Sequence, residues 1–114
     1  MNTIDTALAA AAKSPNKVNT LSWGKPARMA LIVCLPGSKG YEVERKAIAG
    51  QPLPEYFVRV EYLAPAGMDD DPLSFQPGLI VRARHDDHKC LAETFGDRAA
   101  AEKMMLVAGI PLEL

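Results

Sequence analysis

Two segments of the chain carry apolar residues at helical spacing, one near each end. The first begins at Thr3, a residue that can cap a helix, and Pro15 ends it after a basic last turn at Lys13. Its buried stripe is expected to contain Ile4, Leu8 and Ala11. A helix of about ten residues is marginally stable alone, so we expect it to pack on the rest of the domain.

The second helical segment follows Asp97, which occupies an N-cap position. Gly109 and Pro111 end the segment, as glycine and proline commonly do after a helix. The apolar positions that repeat at helical spacing are Ala101, Met104, Met105 and Ala108. The sequence therefore predicts a C-terminal helix with one buried face.

Alternation of apolar and polar residues predicts strands in the middle of the chain. Residues 28–35 and 41–47 are predicted to form one hairpin around the turn at 36–40. Residues 55–63 form a separate strand, with an apolar face that alternates with Phe57, Arg59 and Glu61. The apolar faces of these segments are Met29, Leu31, Val33 and Leu35; Tyr41, Val43 and Ala47; and Tyr56, Val58, Val60 and Tyr62.

A second hairpin is predicted from residues 79–85 and 88–95, which turn at Asp86 and Asp87. The pattern as a whole indicates the α+β class: an antiparallel sheet of four to five strands, built from two hairpins and one strand. The C-terminal helix packs on one face of this sheet, and a short N-terminal helix accompanies it. At 114 residues the chain has the length of a single domain, 1–114.

Composition narrows the functional classes. Thirteen Lys and Arg residues against fourteen Asp and Glu residues leave a net charge of −1, which argues against a nonspecific nucleic-acid coat protein. The alanine-rich residues 7–12 lack the basic flank and cleavage site of a signal peptide, and no stretch is long enough for a membrane span. Two cysteines in such a chain are expected to stay reduced, so we expect a cytoplasmic protein.

The residues that could carry chemistry do not form a recognisable catalytic motif. His85, His88 and Cys90 have metal-ligand chemistry and would lie on one side of the second hairpin. A structural zinc site requires a fourth ligand, and Asp86 and Asp87 more simply support the turn. No nucleophile elbow or phosphate-binding loop is present in the sequence. We therefore predict no catalytic residues, no metal and no cofactor.

The segment Glu93-Thr94-Phe95-Gly96-Asp97, which leads into an alanine-rich helix, resembles the strand-to-helix junction of AP2-type and integrase arm-binding domains. In those domains the sheet enters a DNA groove. The resemblance covers residues 79–108 and implies that Arg82, Arg84 and Lys89 would face DNA. The neighbouring acidic residues would weaken phosphate contacts there, so DNA binding is the alternative hypothesis.

Residues 64–78 form the longest predicted loop, and loops of this length are commonly functional or disordered. An acidic run with apolar neighbours suits a protein partner that has a basic surface and a hydrophobic pocket. The candidate partner-binding residues are Met68, Asp69, Asp70, Asp71, Leu73 and Phe75. Equally, Leu73 and Phe75 can fold back onto the sheet as a lid while the aspartates stay solvated.

The pattern favours a small non-enzymatic protein that binds another protein. In size and architecture it resembles the compact inhibitors, such as anti-CRISPR proteins, that phages and mobile elements use against host or defence complexes. The resemblance implies an inhibitor that occupies a basic nucleic-acid-binding surface or a subunit-docking surface on its target. The sequence does not identify the partner or the oligomeric state.

Overall fold

The computed structural model describes residues 1–24, 27–65 and 88–114, with side chains at all of these except 64, 65, 88 and 89. This part of the chain contains three helices and four strands, which confirms the α+β class. The elements are α1 (Thr3–Lys13), β1 (Val18–Trp23), β2 (Met29–Cys34), α2 (Lys39–Ala47), β3 (Phe57–Pro65), β4 (His88–Phe95) and α3 (Arg98–Ala108).

The four described strands form one antiparallel sheet in the order β1-β2-β3-β4. In the middle of the sheet Leu31 pairs with Leu21 on one side and with Val60 on the other. The strands β2 and β3 therefore have a neighbour along both edges. Their central side chains Leu31, Val33, Val58 and Val60 are 0–1% exposed.

Helices α1 and α3 cover one face of this sheet. α1 contacts β1 and β2, and α3 contacts β3 and β4. The buried core between the helices and the sheet includes Ile4, Ala7 and Ala11 from α1 and Ala101 and Met105 from α3. The face of β2 and β3 predicted from alternation is confirmed, because all of its predicted residues lie in or against this core.

Both covering helices begin at a capping side chain. Asp97 Oδ2 accepts a hydrogen bond from Ala100 N at 3.3 Å, and Gly109 adopts a left-handed φ of 83° after the last residue of α3, as predicted. The predicted cap of α1 is off by one residue. Asn2 Oδ1 accepts from Asp5 N at 3.1 Å, whereas Thr3 is buried and its hydroxyl donates to the Pro111 carbonyl at 2.6 Å.

Residues 41–47, predicted as a strand, instead belong to helix α2. Ser38 Oγ caps this helix by accepting from Tyr41 N at 3.1 Å, and Glu42 pairs with Arg45 at i,i+3. Tyr41 is the one buried residue of α2. With a single buried position, the alternation of Tyr41 and Val43 with charged residues reflects an exposed helix and not a pleated strand.

The prediction that residues 28–35 pair with residues 41–47 is therefore wrong. β2 pairs with β1, which precedes it and begins within a polar stretch of sequence that does not look like a strand. In the second predicted hairpin, residues 88–95 form β4 as expected and pair with β3. The other strand of that hairpin, residues 79–85, lies outside the described residues.

Within the described part of the chain, no helix combines the length and the apolar character needed to cross a bilayer.

We expect Met105→Ala to destabilise the protein by about 2–5 kcal/mol, because it empties a fully buried position between α3 and the sheet. The neighbouring Leu106 is 64% exposed, so Leu106→Ala should change the free energy of unfolding by no more than about 0.5 kcal/mol. Urea unfolding of both variants measures the difference. Equal losses would contradict the assignment of the buried face of α3.

Candidate protein-binding groove

Helix α2 lies against the sheet face opposite α1 and α3, at the end where β2 finishes and β3 begins. The ring of Tyr41 meets the ring of Phe57 with centroids 5.1 Å apart and planes tilted by 55°. The Tyr41 hydroxyl donates to the Pro54 carbonyl at 2.7 Å. One aromatic side chain thus joins α2 both to the first residue of β3 and to the segment that precedes it.

A second close contact holds the start of α2 on the sheet. A Cβ at Gly40 would lie 2.7 Å from Cys34 Sγ, which is closer than atoms approach without a shift. Glycine at position 40 is therefore what lets the helix approach the end of β2. Burial raises the pKa of the Cys34 thiol, and a hydrogen bond with Ser38 opposes part of that effect.

The segment between α2 and β3 packs against the junction of β4 and α3. Gly50, with a φ of 89°, turns the chain, and Gln51 N donates to the Ile48 carbonyl at 3.0 Å. A Cβ at Gly96 would stand 3.0 Å from Cγ of Pro54, so the proline ring rests directly on the glycine backbone. Residues far apart in the sequence therefore position this short proline-containing segment.

Two recesses lie side by side along this segment. One, of about 370 Å³, is lined by residues 48 and 51–54 together with Phe57, Thr94 and Gly96. The other, of about 380 Å³, is lined by residues 45, 46, 48–51 and 53. Because Leu53 lines both recesses and is 56% exposed, we call the pair the Leu53 groove.

The charged side chains that line the Leu53 groove are cations. Its charged lining residues are Arg45 and Lys46, and no carboxylate among the described residues lines either recess. The Arg45 guanidinium donates to Glu42 Oε2 from Nε at 3.0 Å and from Nη2 at 2.8 Å, so the carboxylate offsets part of its charge. Lys46 is exposed and makes no ion pair with a described residue.

A buried polar pair occupies the same sheet face, closer to the middle of β3. Arg59 Nε donates to Glu61 Oε2 at 2.9 Å, and the Glu61 side chain is 2% exposed. The other carboxylate oxygen, Oε1, has no hydrogen-bond partner among the described residues. Glu61 stands between Ala30 of β2 and Ala92 of β4, its partners in the sheet register.

The thiol of Cys90 lies on this face as well and is 2% exposed. Burial, with a smaller contribution from the negative charge of Glu61, raises its pKa to about 11. A thiol of this kind stays protonated near neutral pH, which makes it a poor nucleophile and a poor metal ligand. Among the residues described, no three His, Cys, Asp or Glu side chains are grouped to hold a metal ion.

Most of the site residues predicted from the sequence lie outside the residues that the structure describes. Those outside the described residues are Met68, Asp69, Asp70, Asp71, Leu73, Phe75, Arg82, Arg84 and His85. Lys89 and His88 belong to β4, but their side chains are not among those described. Sequence reasoning missed the Leu53 groove, although a leucine between two prolines was the available signal.

Gly40→Ala tests the contact that seats α2. In an exposed helical position alanine is normally more stabilising than glycine by about 1 kcal/mol, whereas here we expect a loss of about 1–3 kcal/mol from the overlap with Cys34 Sγ. In a Cys34→Ala background the overlap disappears, and the same change should become stabilising. Chemical unfolding of the four proteins measures this coupling, and stabilisation by Gly40→Ala in both backgrounds would refute it.

The raised pKa of Cys90 predicts a loss of stability in alkaline solution. In the unfolded chain the thiol has its ordinary pKa of 9.0, whereas the folded thiol keeps its proton until about pH 11. The stabilisation is therefore complete below pH 9 and disappears as the pH rises through about 11, and it amounts to about 2–3 kcal/mol. Cys90→Ala should flatten the decline, measured by urea unfolding under reducing conditions; parallel pH profiles for the two proteins would count against the assignment.

Comparisons with known proteins found no relative of this chain. The chain matched no protein-family model, no curated protein and no solved structure.

Proposed function

We propose that this chain is a small protein-binding protein and that the Leu53 groove holds a segment of its partner. The observation that carries the proposal is Leu53 itself, a large apolar side chain that is 56% exposed between two recesses. Removing apolar surface from water contributes about 25 cal/mol per Å². A partner that covers this side chain and fills the recesses gains that contribution.

Contacts within the chain hold the groove in place before any partner arrives, which lowers the entropic cost of binding. The prolines at 52 and 54 restrict the backbone on both sides of Leu53. Tyr41 ties the Pro54 carbonyl to α2, and Gly96 supports the Pro54 ring. A rigid apolar anchor beside a pocket has the character of an interface hot spot.

The chemistry of the rim indicates what the partner segment carries. Lys46, and Arg45 to the extent that Glu42 leaves its charge uncompensated, give the groove a positive side, with no acidic residue among its described lining. An apolar side chain next to a carboxylate is therefore the complementary ligand. The acidic residues at 69–71 remain a separate prediction, for a contact with a basic surface on the partner.

Inhibition of a host or defence complex by a phage or mobile element is the narrower form of this proposal, and it rests on size and architecture alone. DNA binding through Arg82, Arg84 and Lys89 receives no added support from the residues that the structure describes. We therefore place protein binding first.

Affinity capture from the native cell with three baits tests the proposal: the unmodified chain, Leu53→Asp and Val43→Asp. Val43 is 66% exposed on α2 and does not line the groove, so it controls for a new surface charge. We expect a protein retained by the unmodified and Val43→Asp baits and lost with Leu53→Asp. With that partner purified, calorimetry should show affinity reduced at least about tenfold by Leu53→Asp, a cost of about 1.4 kcal/mol.

A second pair of variants tests whether the positive charge of the groove contributes to binding. Lys46→Glu should slow association with the partner, while Lys39→Glu, an exposed lysine of α2 outside the groove, should have the smaller effect. Recovery of no specific partner, or a partner that binds Leu53→Asp as tightly as the unmodified chain, would contradict the proposal.

A further inference from the structure

Strand β1 is an edge of the described sheet, and its six residues include no charged residue, proline or bulge that would block a further strand. β2 is its one neighbour among the described strands. Edge strands present unpaired main-chain groups, and proteins commonly block them with a charged residue, a proline or a bulge. The sequence of β1, VNTLSW, has no charge and no proline, and all six residues pair with β2 without a bulge.

The hydrogen-bond pattern shows which main-chain groups point away from β2. The Lys17 carbonyl accepts from Leu35 N at 2.9 Å, immediately before the first residue of β1. In an antiparallel ladder, bonded and non-bonded pairs alternate, so every second residue from Lys17 onward bonds to β2. The residues whose N–H and C=O groups point to the outer edge are Val18, Thr20 and Ser22.

These outward groups are largely open. Val18 N–H donates to Asn16 Oδ1 at 3.3 Å, which occupies one of them. In the described part of the chain no hydrogen bond reaches the main chain of Thr20 or Ser22 from the outer side. Both residues are exposed, so a further strand can reach their backbone groups.

The side chains of β1 also leave apolar surface exposed. Leu21 and Trp23 face the core side of the sheet but are only partly buried. On the same side, the Asn19 side-chain nitrogen is buried without a hydrogen-bond partner among the described residues. A strand placed along this edge would cover the exposed parts of both apolar side chains.

We propose that β1 pairs antiparallel with β1 of a second copy of this chain, with Leu21 of the two copies face to face. This register sets Thr20 opposite Ser22 of the second copy in a hydrogen-bonded pair, and it sets Asn19 opposite Trp23. A strand that pairs with its own copy must carry no charge near its centre, because that charge would lie near its equivalent on the second copy. A strand built for a different protein has no such restriction, so the uncharged β1 favours self-pairing.

The contact is small. One strand pair with its flanking side chains buries an area at the low end for specific interfaces, about 1,000 Å², so the dimer is in equilibrium with the monomer. The Leu53 groove is formed by α2 and the ends of β3 and β4, elements that lie away from β1 in the strand order. A failure of self-pairing would therefore leave the proposal of partner binding unaffected, and the reverse is also true.

Sedimentation equilibrium of the full chain over about 1 µM to about 1 mM tests the proposal, with a concentration-dependent dimer as the expected result. Two double variants then address the edge: Thr20→Lys with Ser22→Lys, and Thr20→Glu with Ser22→Glu. Each places like charges opposite each other across the two-fold axis and should weaken self-association at least about tenfold. An equimolar mixture of the two should restore association as a heterodimer.

The control variant is Val43→Lys with Ala47→Lys, which adds the same charge at exposed positions of α2 and should leave the dimer unchanged. Circular dichroism and thermal unfolding establish that each variant is folded. A chain that stays monomeric at every concentration overturns the proposal. A dimer that persists in both charged variants, or a mixture that stays monomeric, overturns it equally.

Discussion

The pairing of β2 with β3 is the constraint on which the rest of the molecule depends. Leu31 and Val60 stand opposite each other at its centre, and both are fully buried. Because side chains alternate along a strand, this one register decides which residues meet α1 and α3. It also sends Cys34 and Phe57, the last pair of the ladder, to the other face, where α2 packs on them.

The sequence predicted the parts of the fold that bury a regular stripe. The alternation in β2 and β3 and the helical spacing in α3 each follow from one face in contact with the core. α2 buries only Tyr41, so no periodic stripe existed to reveal a helix. Its local signals were Ser38 as a cap and the Glu42–Arg45 pair, and they were outweighed by an apparent alternation.

The periodicity of the sequence could not predict the Leu53 groove, for a different reason. The Leu53 groove exists because Pro54 rests on Gly96 and Tyr41 reaches Pro54, contacts between segments that are distant in the chain. The prolines at 52 and 54 predict that a strand cannot continue there, but they do not predict a groove. β1 escaped prediction because its inward positions include Asn19, a polar residue that looks like loop sequence.

The strand order bears on the rate of folding, because each described strand pairs with the described strand next to it in the chain. The link between β1 and β2 spans only residues 24–28, so the entropy lost in closing that loop is small, which favours early pairing of these two strands. The connection from β2 to β3 is longer, and α2 occupies part of it. The first three strands can therefore pair in the order in which they occur in the chain.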